Sequence, residues 1–381
     1  MCSPFMSYKF KIYQSDTDFP DSWSSAVGNH NIMMSAEYFR ALQISLPSNM
    51  QCFMVGFFKE NNLIGGAFFQ YLDFIGYEKT VKDKPKWSIR NFLAKTFIRD
   101  VMILGNNMLT GQNGFYFDFS KISAEDVLML LNKAADTMQH KIRKTSLIVF
   151  KDYSEDFVKQ FTGSAFKAYF RFSVQPNMKL NIRENWETFE DYINDFSKKY
   201  RSRAKAAKKK LQGVEKRELA LNSVKTYQPQ MNDLYHNVAD NASFNTFFLA
   251  ENHFEKMKEN LAENFKVFGY FSGGKLVGFY TLIVNNDDVD TYFLGYDKEL
   301  QKERQIYLNM LLDMVEFGIT RRFKRIVFGR TALEIKSTVG AEPTAIFGLL
   351  KHNNFIINSF MKILFPSISP KTEWVQRKPF K

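Results

Sequence analysis

Two cysteines in 381 residues, five scattered histidines and no apolar run long enough to cross a bilayer are the shortages that first narrow this chain. Cys2 and Cys52 make no disulfide framework and fit no metal-ligand spacing, which predicts a reduced, cytoplasmic setting. His30, His140, His236, His253 and His352 form no HExxH or related pair, so a metal site is not expected. There is no GxSxG nucleophile elbow and no Walker phosphate loop; Gly111-Gln112-Asn113-Gly114 has the composition of a turn. The N-terminal MCSPFMSYKFKIYQ lacks the apolar core of a secretion signal. The expectation is a soluble protein, at most peripheral at the inner face of a membrane.

What the chain has in excess is positive charge and aromatic surface. The formal net charge is +12, and 40 of the residues are Phe. Such a balance favours a polyanionic partner, whether nucleic acid, a phosphate-bearing cofactor or an acidic membrane surface. Zinc-finger spacing, RNA-recognition aromatics and a helix-turn-helix pattern are all missing, which argues against sequence-specific DNA binding. The length suits two domains of ordinary size.

The chain repeats itself. Residues 55–66 (VGFFKENNLIGG) align without a gap on 268–279 (FGYFSGGKLVGF), with Gly56 on Gly269 and Gly65 on Gly278. Each is a strand, a polar turn (Asn61-Asn62 or Gly273-Gly274) and a second strand, the pattern of a hairpin. Each is followed by an aromatic strand (FYFDFS or TYFLGYD), a helical segment (124–142 or about 304–320) and an apolar strand (LIVF or RIVF). Two related α/β domains in tandem are predicted, 1–184 and 185–381, the first carrying a basic, aromatic insertion near 76–110.

The second domain opens with a predicted amphipathic helix, 186–211, whose apolar positions are Ile193, Phe196, Tyr200, Ala204, Ala207 and Leu211. Its other faces carry Lys198, Lys199, Arg201, Arg203, Lys205 and Lys208, Lys209, Lys210. These cations would contact phosphates of RNA, a cofactor or lipid headgroups, or they are simply the solvated face of a docked helix. In 290–340 a strand, a charged loop, a helix and a second strand present unpaired backbone N–H groups suited to an anion. Arg330, Thr331, Glu334, Lys336 and Ser337 leave the end of that second strand, where α/β folds place ligands. Glu334, with its pKa raised by partial burial, would take a proton from an amine, and Arg330 and Lys336 would hold a phosphate or carboxylate. The alternative is a structural ion pair of Glu334 with Arg330.

Three stretches together resemble the GNAT superfamily of acyltransferases, in particular the tandem-GNAT group that includes Fem-type peptidoglycan aminoacyl transferases and related N-acyltransferases. They are FSKKYRSRAKAAKKKL (196–211), the strand–loop–helix 292–318, and FGRTALEIKSTVGAEP (328–343). The resemblance implies two GNAT-like domains, each a mixed central sheet flanked by helices, and transfer of an acyl or aminoacyl group from a thioester or ester donor to an amine. Acyl-coenzyme A is the donor it implies first, its acyl arm lying between two splayed strands along Leu294 and Gly295. Its pyrophosphate would rest on loop 300–306, with Lys302, Arg304 and Gln305 beside it. Strand N–H groups around 294–296 would polarise the acyl carbonyl, and Tyr296 would protonate the leaving group. The glycines usual to that loop are absent, which makes an aminoacyl-tRNA donor bound through 198–210 and a cell-wall precursor as acceptor the alternative. A third possibility is a non-catalytic membrane-surface protein using the tail FIINSFMKILFPS (355–367) and the basic 374–381, unless that tail packs on the second domain.

Overall fold

The computed structural model describes residues 8–74, 99–162, 164–241, 245–368 and 373–381. Fifteen strands are found among them. They are β1 Tyr8–Tyr13, β2 Met50–Lys59, β3 Asn62–Asp73, β4 Asp100–Leu104, β5 Phe115–Phe117, β6 Leu147–Tyr153, β7 Phe170–Ser173 and β8 Asn177–Asn181. The rest are β9 Glu215–Glu218, β10 Phe265–Ser272, β11 Lys275–Asn285, β12 Asp288–Tyr296, β13 Arg325–Gly329, β14 Glu342–Thr344 and β15 Phe347–His352.

They form two mixed sheets in two compact units. The first unit, Met1–Val174 with Ala345–Lys371, holds the order β1-β2-β3-β4-β6-β15-β7, with β5 also paired to β3. The second, Gln175–Thr344 with Thr372–Lys381, holds β14-β8-β13-β12-β11-β10-β9. Each sheet has one parallel pair, β4 with β6 and β12 with β13. In each, a long helix makes the crossover that a parallel pair requires, Ala124–Lys141 in the first unit and Ile306–Thr320 in the second. Ser123 caps the first of these by accepting from the Asp126 N–H, and Val127, Leu131, Ala134 and Met138 line its buried face.

The predicted hairpins are present, and they match in finer detail than the sequence shows. Both carry a register shift at the same aligned step, between Phe57 and Phe58 in one and between Tyr270 and Phe271 in the other. The second turns through Gly273-Gly274, both at positive φ. The first turns through Glu60-Asn61 rather than Asn61-Asn62, because Lys59 already pairs with Asn62.

Four expectations are corrected. The division is not 1–184 and 185–381: β8 pairs with β13 and β14 in the second sheet, and β15 inserts between β6 and β7 in the first. The insertion placed at 76–110 contains β4, a full member of the sheet; 75–98 lie outside the described residues. The helix expected over 186–211 is two, Phe189–Asp195 and Lys198–Lys210, broken where Phe196 turns extended to bridge Phe380. Its apolar positions are nevertheless the packed ones, Ile193, Phe196, Ala204 and Ala207 being buried. The tail segment 355–367 belongs to the first unit, not the second.

Phe380 explains the break at Phe196. Its ring lies 5.3 Å from those of Trp186 and Phe196, over Gly340, whose φ of 91° and missing Cβ leave the ring its place. We expect Phe380→Ala to destabilise the second unit by about 3–5 kcal/mol, read as a lowered unfolding midpoint of that unit by hydrogen exchange.

Candidate active site where two strands diverge

β12 and β13 pair only from Asp288 to Asp290 against Arg325 to Val327, then part. A bulge on each strand separates them. On β12 the register against β11 slips so that Thr281 faces both Tyr292 and Phe293, and the Thr281 hydroxyl donates to the Phe293 carbonyl at 2.7 Å. On β13 the register against β8 slips at Phe328, whose carbonyl accepts from the Lys336 ammonium. A bulge bends its strand and raises the local twist, so two of them facing one gap drive the strands apart. Residues 291–294 are consequently half-exposed although β12 is the central strand of a seven-stranded sheet.

The backbone facing this gap follows from strand alternation. Asp297 N–H donates to the Val277 carbonyl at 2.9 Å, so Gly295 also faces β11, and Leu294 and Tyr296 turn their N–H and C=O groups toward the open side. The Tyr296 carbonyl accepts from Asn237 Nδ2 at 3.4 Å. Helix Leu221–Ala239 covers one face of this strand so closely that a Cβ on Gly295 would stand 2.3 Å from the Leu234 carbonyl carbon. Tyr235 packs edge-on against Phe293, and the buried His253 places Nε2 3.0 Å from the Tyr292 hydroxyl.

The residues predicted for the site fare unequally. Leu294, Gly295 and Tyr296 do lie on the diverging stretch of β12. The Tyr296 phenol is half-buried, its pKa pushed up by desolvation, and its ring is 6.0 Å from that of Tyr307. Arg330 follows directly on Gly329 at the end of β13 and is half-exposed. Glu334 does not have the raised pKa expected of a base. Arg377 donates to its Oε1 through Nε at 3.0 Å and through Nη2, and this holds the carboxyl below its ordinary value. Its ion-pair partner is thus Arg377 and not Arg330. Lys336 is buried, its pKa lowered to about 7 by desolvation, and it serves the bulge rather than a ligand.

Loop 300–306 does not form a pyrophosphate cradle. Lys298–Arg304 is a helix, Gln305 takes the left-handed conformation (φ 53°), and Ile306 starts the next helix. The Tyr307 N–H, which a phosphate would use, already donates to Gln301 Oε1 at 2.6 Å. Arg304 caps the C-terminus of the basic helix through the carbonyls of Lys210 (3.4 Å) and Gln212 (3.1 Å), and Lys302 pairs with Glu299 at 3.3 Å. A coenzyme A pyrophosphate needs free N–H groups and close backbone approach, whereas here the Tyr307 N–H is taken and a loop without glycine brings side chains to the turn.

In the first unit the corresponding space is filled. After β4 the chain runs through 105–114 before β5 rejoins β3, and this loop is stapled to the end of β6. The buried Lys151 donates to the carbonyls of Asn106 (2.7 Å) and Leu109 (3.0 Å), while Asp152 accepts from the Gly111 N–H at 2.9 Å. Within the second unit the basic helix leaves Lys198, Lys199, Arg203, Lys205, Lys209 and Lys210 exposed. Lys208 is held by Asp313, a buried carboxylate on the crossover helix that also takes the Tyr270 hydroxyl.

No local pattern marks Thr281, His253, Tyr292 or Asn237, which reach β12 only through the sheet and two helices distant in sequence. No protein-family model matches the sequence, and no curated protein matches it. Among solved structures the chain is similar to FemX, at 13% identity over 94% of this chain and 100% of that one with a TM-score of 0.55. It is also similar to a tandem GNAT protein from the clavulanic acid biosynthesis pathway (8% identity, 91% and 98% covered, TM-score 0.48). A third is L-PGS from Bacillus licheniformis (10% identity, 87% and 96% covered, TM-score 0.47). The likeness to FemX is one of fold: this chain shares with it a tandem, GNAT-like arrangement of two mixed α/β units.

Two outcomes test this geometry. Gly295→Ala pushes a methyl into the backbone of helix Leu221–Ala239 and should cost at least about 1–3 kcal/mol, read by chemical denaturation. Because burial lowers the Lys336 pKa, the unfolded chain binds more protons than the folded one between pH 7 and the ordinary lysine value of about 10.4. The wild type should therefore gain stability relative to Lys336→Met as pH rises through that window, checked by urea melts at its two ends.

Proposed function

We propose that this chain is an aminoacyl transferase that moves the acyl group of an oxygen ester, carried on an aminoacyl-tRNA, to a primary amine such as that of a cell-wall precursor. The observation that supports this reading is the combination in the second unit of an open strand divergence with a donor loop that has no pyrophosphate cradle. An acyl carbonyl laid along β12 would meet the Leu294 N–H, which faces the open side. The exposed Lys198, Lys199, Arg203, Lys209 and Lys210 lie on the same unit and suit a polyanionic donor.

In this reading the neutral amine attacks the ester carbon directly. The carbonyl oxygen gains negative charge, and backbone N–H groups of β12 stabilise it. The new C–N bond forms, the C–O ester bond breaks, and the departing ribose oxygen takes a proton from Tyr296. Burial raises the Tyr296 pKa, so the phenol is protonated and available as a donor at neutral pH. The proton lost by the amine returns to the phenolate through water. Glu334 has no part in this, its carboxylate being held by Arg377. A cytoplasmic setting, where aminoacyl-tRNA is abundant, goes with the same reading.

The test is transfer to an amine acceptor with aminoacyl-tRNA and with acyl-coenzyme A in parallel. Turnover with the tRNA ester alone is expected, with Tyr296→Phe lowering kcat by about 10²-fold or more at little change in KM. Lys209→Gln with Lys210→Gln should reduce the slope of log affinity against log salt by about 1.5. Thermal stabilisation by acyl-coenzyme A together with turnover from it would overturn the choice of donor.

A further inference from the structure

The tail of the first unit carries an apolar face that the fold does not use. Of the eight large hydrophobic side chains exposed among the described residues, four fall within nine positions: Phe355 (84% exposed), Ile356, Phe360 and Ile363. Phe355 and Ile356 lie on the short helix Phe355–Ser359, Ile363 lies on Met361–Ile368, and Phe360 joins the two. The opposite side of the same segment is firmly attached. Met361 is buried, and the Phe365 ring packs 5.6 Å from Phe170 and 5.0 Å from Phe172 on β7. Asn358 accepts from the His352 N–H and donates to the Ala168 carbonyl, both at 2.8 Å. The exposed face is therefore set outward by a docked scaffold and is not a frayed end.

The charge around this face selects its occupant. From 355 to 368 the sequence FIINSFMKILFPSI has no acidic residue and one cation, Lys362, which is exposed. Lys167, next to the anchoring Ala168, is exposed as well. A second copy seated on this face would bring four lysine ammoniums together, with no carboxylate from 355–368 of either copy to pair them. A neutral apolar groove would strip water from both lysines. An anionic bilayer surface meets each requirement at once, since the apolar side chains enter the acyl boundary while the lysine stems let their ammoniums reach lipid phosphates. We infer that the first unit docks on anionic membranes through Phe355, Ile356, Phe360 and Ile363, with Lys167 and Lys362 at the headgroup level. One short segment gives reversible binding rather than permanent anchoring. The inference stands apart from the proposed activity, which concerns the second unit.

The test is sedimentation of the full chain with phosphatidylcholine vesicles containing about 30% phosphatidylglycerol and with phosphatidylcholine alone. Binding to the anionic vesicles, weaker by roughly tenfold or more to the neutral ones, is expected. The double change Phe355→Asp with Ile363→Asp should abolish it without moving the unfolding midpoint, as both side chains are exposed. Lys167→Gln with Lys362→Gln should weaken it and blunt its salt dependence. Absence of binding, or binding unchanged by the two aspartates, overturns the inference. So does a concentration-dependent dimer in analytical ultracentrifugation that those aspartates dissolve, since a second copy would then be the occupant.

Discussion

One added residue on each of two neighbouring strands governs the second unit. Parallel strands prefer to stay paired, because every buried backbone N–H and C=O left without a partner costs free energy. Here the ladder stops after three residues, and each bulge comes with a substitute partner: Thr281 for the Phe293 carbonyl, and Lys336 for the Phe328 carbonyl. The gap is thus held open by side chains that take over hydrogen bonds the sheet gives up. Burying Lys336 for this purpose is unfavourable in itself, as its depressed pKa shows. Helix Leu221–Ala239, drawn against Gly295, then fixes the free stretch of β12 from one face.

The two units share one pattern and differ at this point. Their hairpins share even the position of the register slip. Where the second unit leaves space beside β12, the first inserts 105–114 and fastens it with Lys151 and Asp152. Buried charge is put to opposite ends in the two places: Lys336 supports an opening, and Lys151 closes one. The basic helix likewise divides its cations, Lys208 being drawn into a buried network with Asp313 and Tyr270 while its neighbours stay in water.

Much of this was legible in the sequence because it depends on local periodicity. The duplicated hairpin, the crossover helices, the buried positions Ile193, Phe196, Ala204 and Ala207 and the diverging stretch around Leu294 all follow from spacing or from resemblance. What escaped depends on partners far along the chain. Phe196 breaks a helix for the sake of Phe380, and Glu334 is claimed by Arg377, 43 residues on, in place of the nearer Arg330. Lys336 has the appearance of a surface lysine in any window of sequence, and only the bulge at Phe328 explains its burial. His253 beside Tyr292 joins a helix start to a strand 39 residues later, with no local mark on either.

The path of β15 bears on how such a chain is made. This strand is the last but one in the order of the first unit's sheet, lying between β6 and β7, yet it emerges from the ribosome after the whole of the second sheet. Until residue 352 is available, β7 has no partner and β6 presents an unpaired edge. The sheet of the amino-terminal unit, begun first, is therefore closed after the sheet of the other unit, and its open edge must stay unoccupied until then. Cutting the gene at any single point between the units would leave both fragments with a sheet that lacks one of its strands or a strand that lacks its sheet.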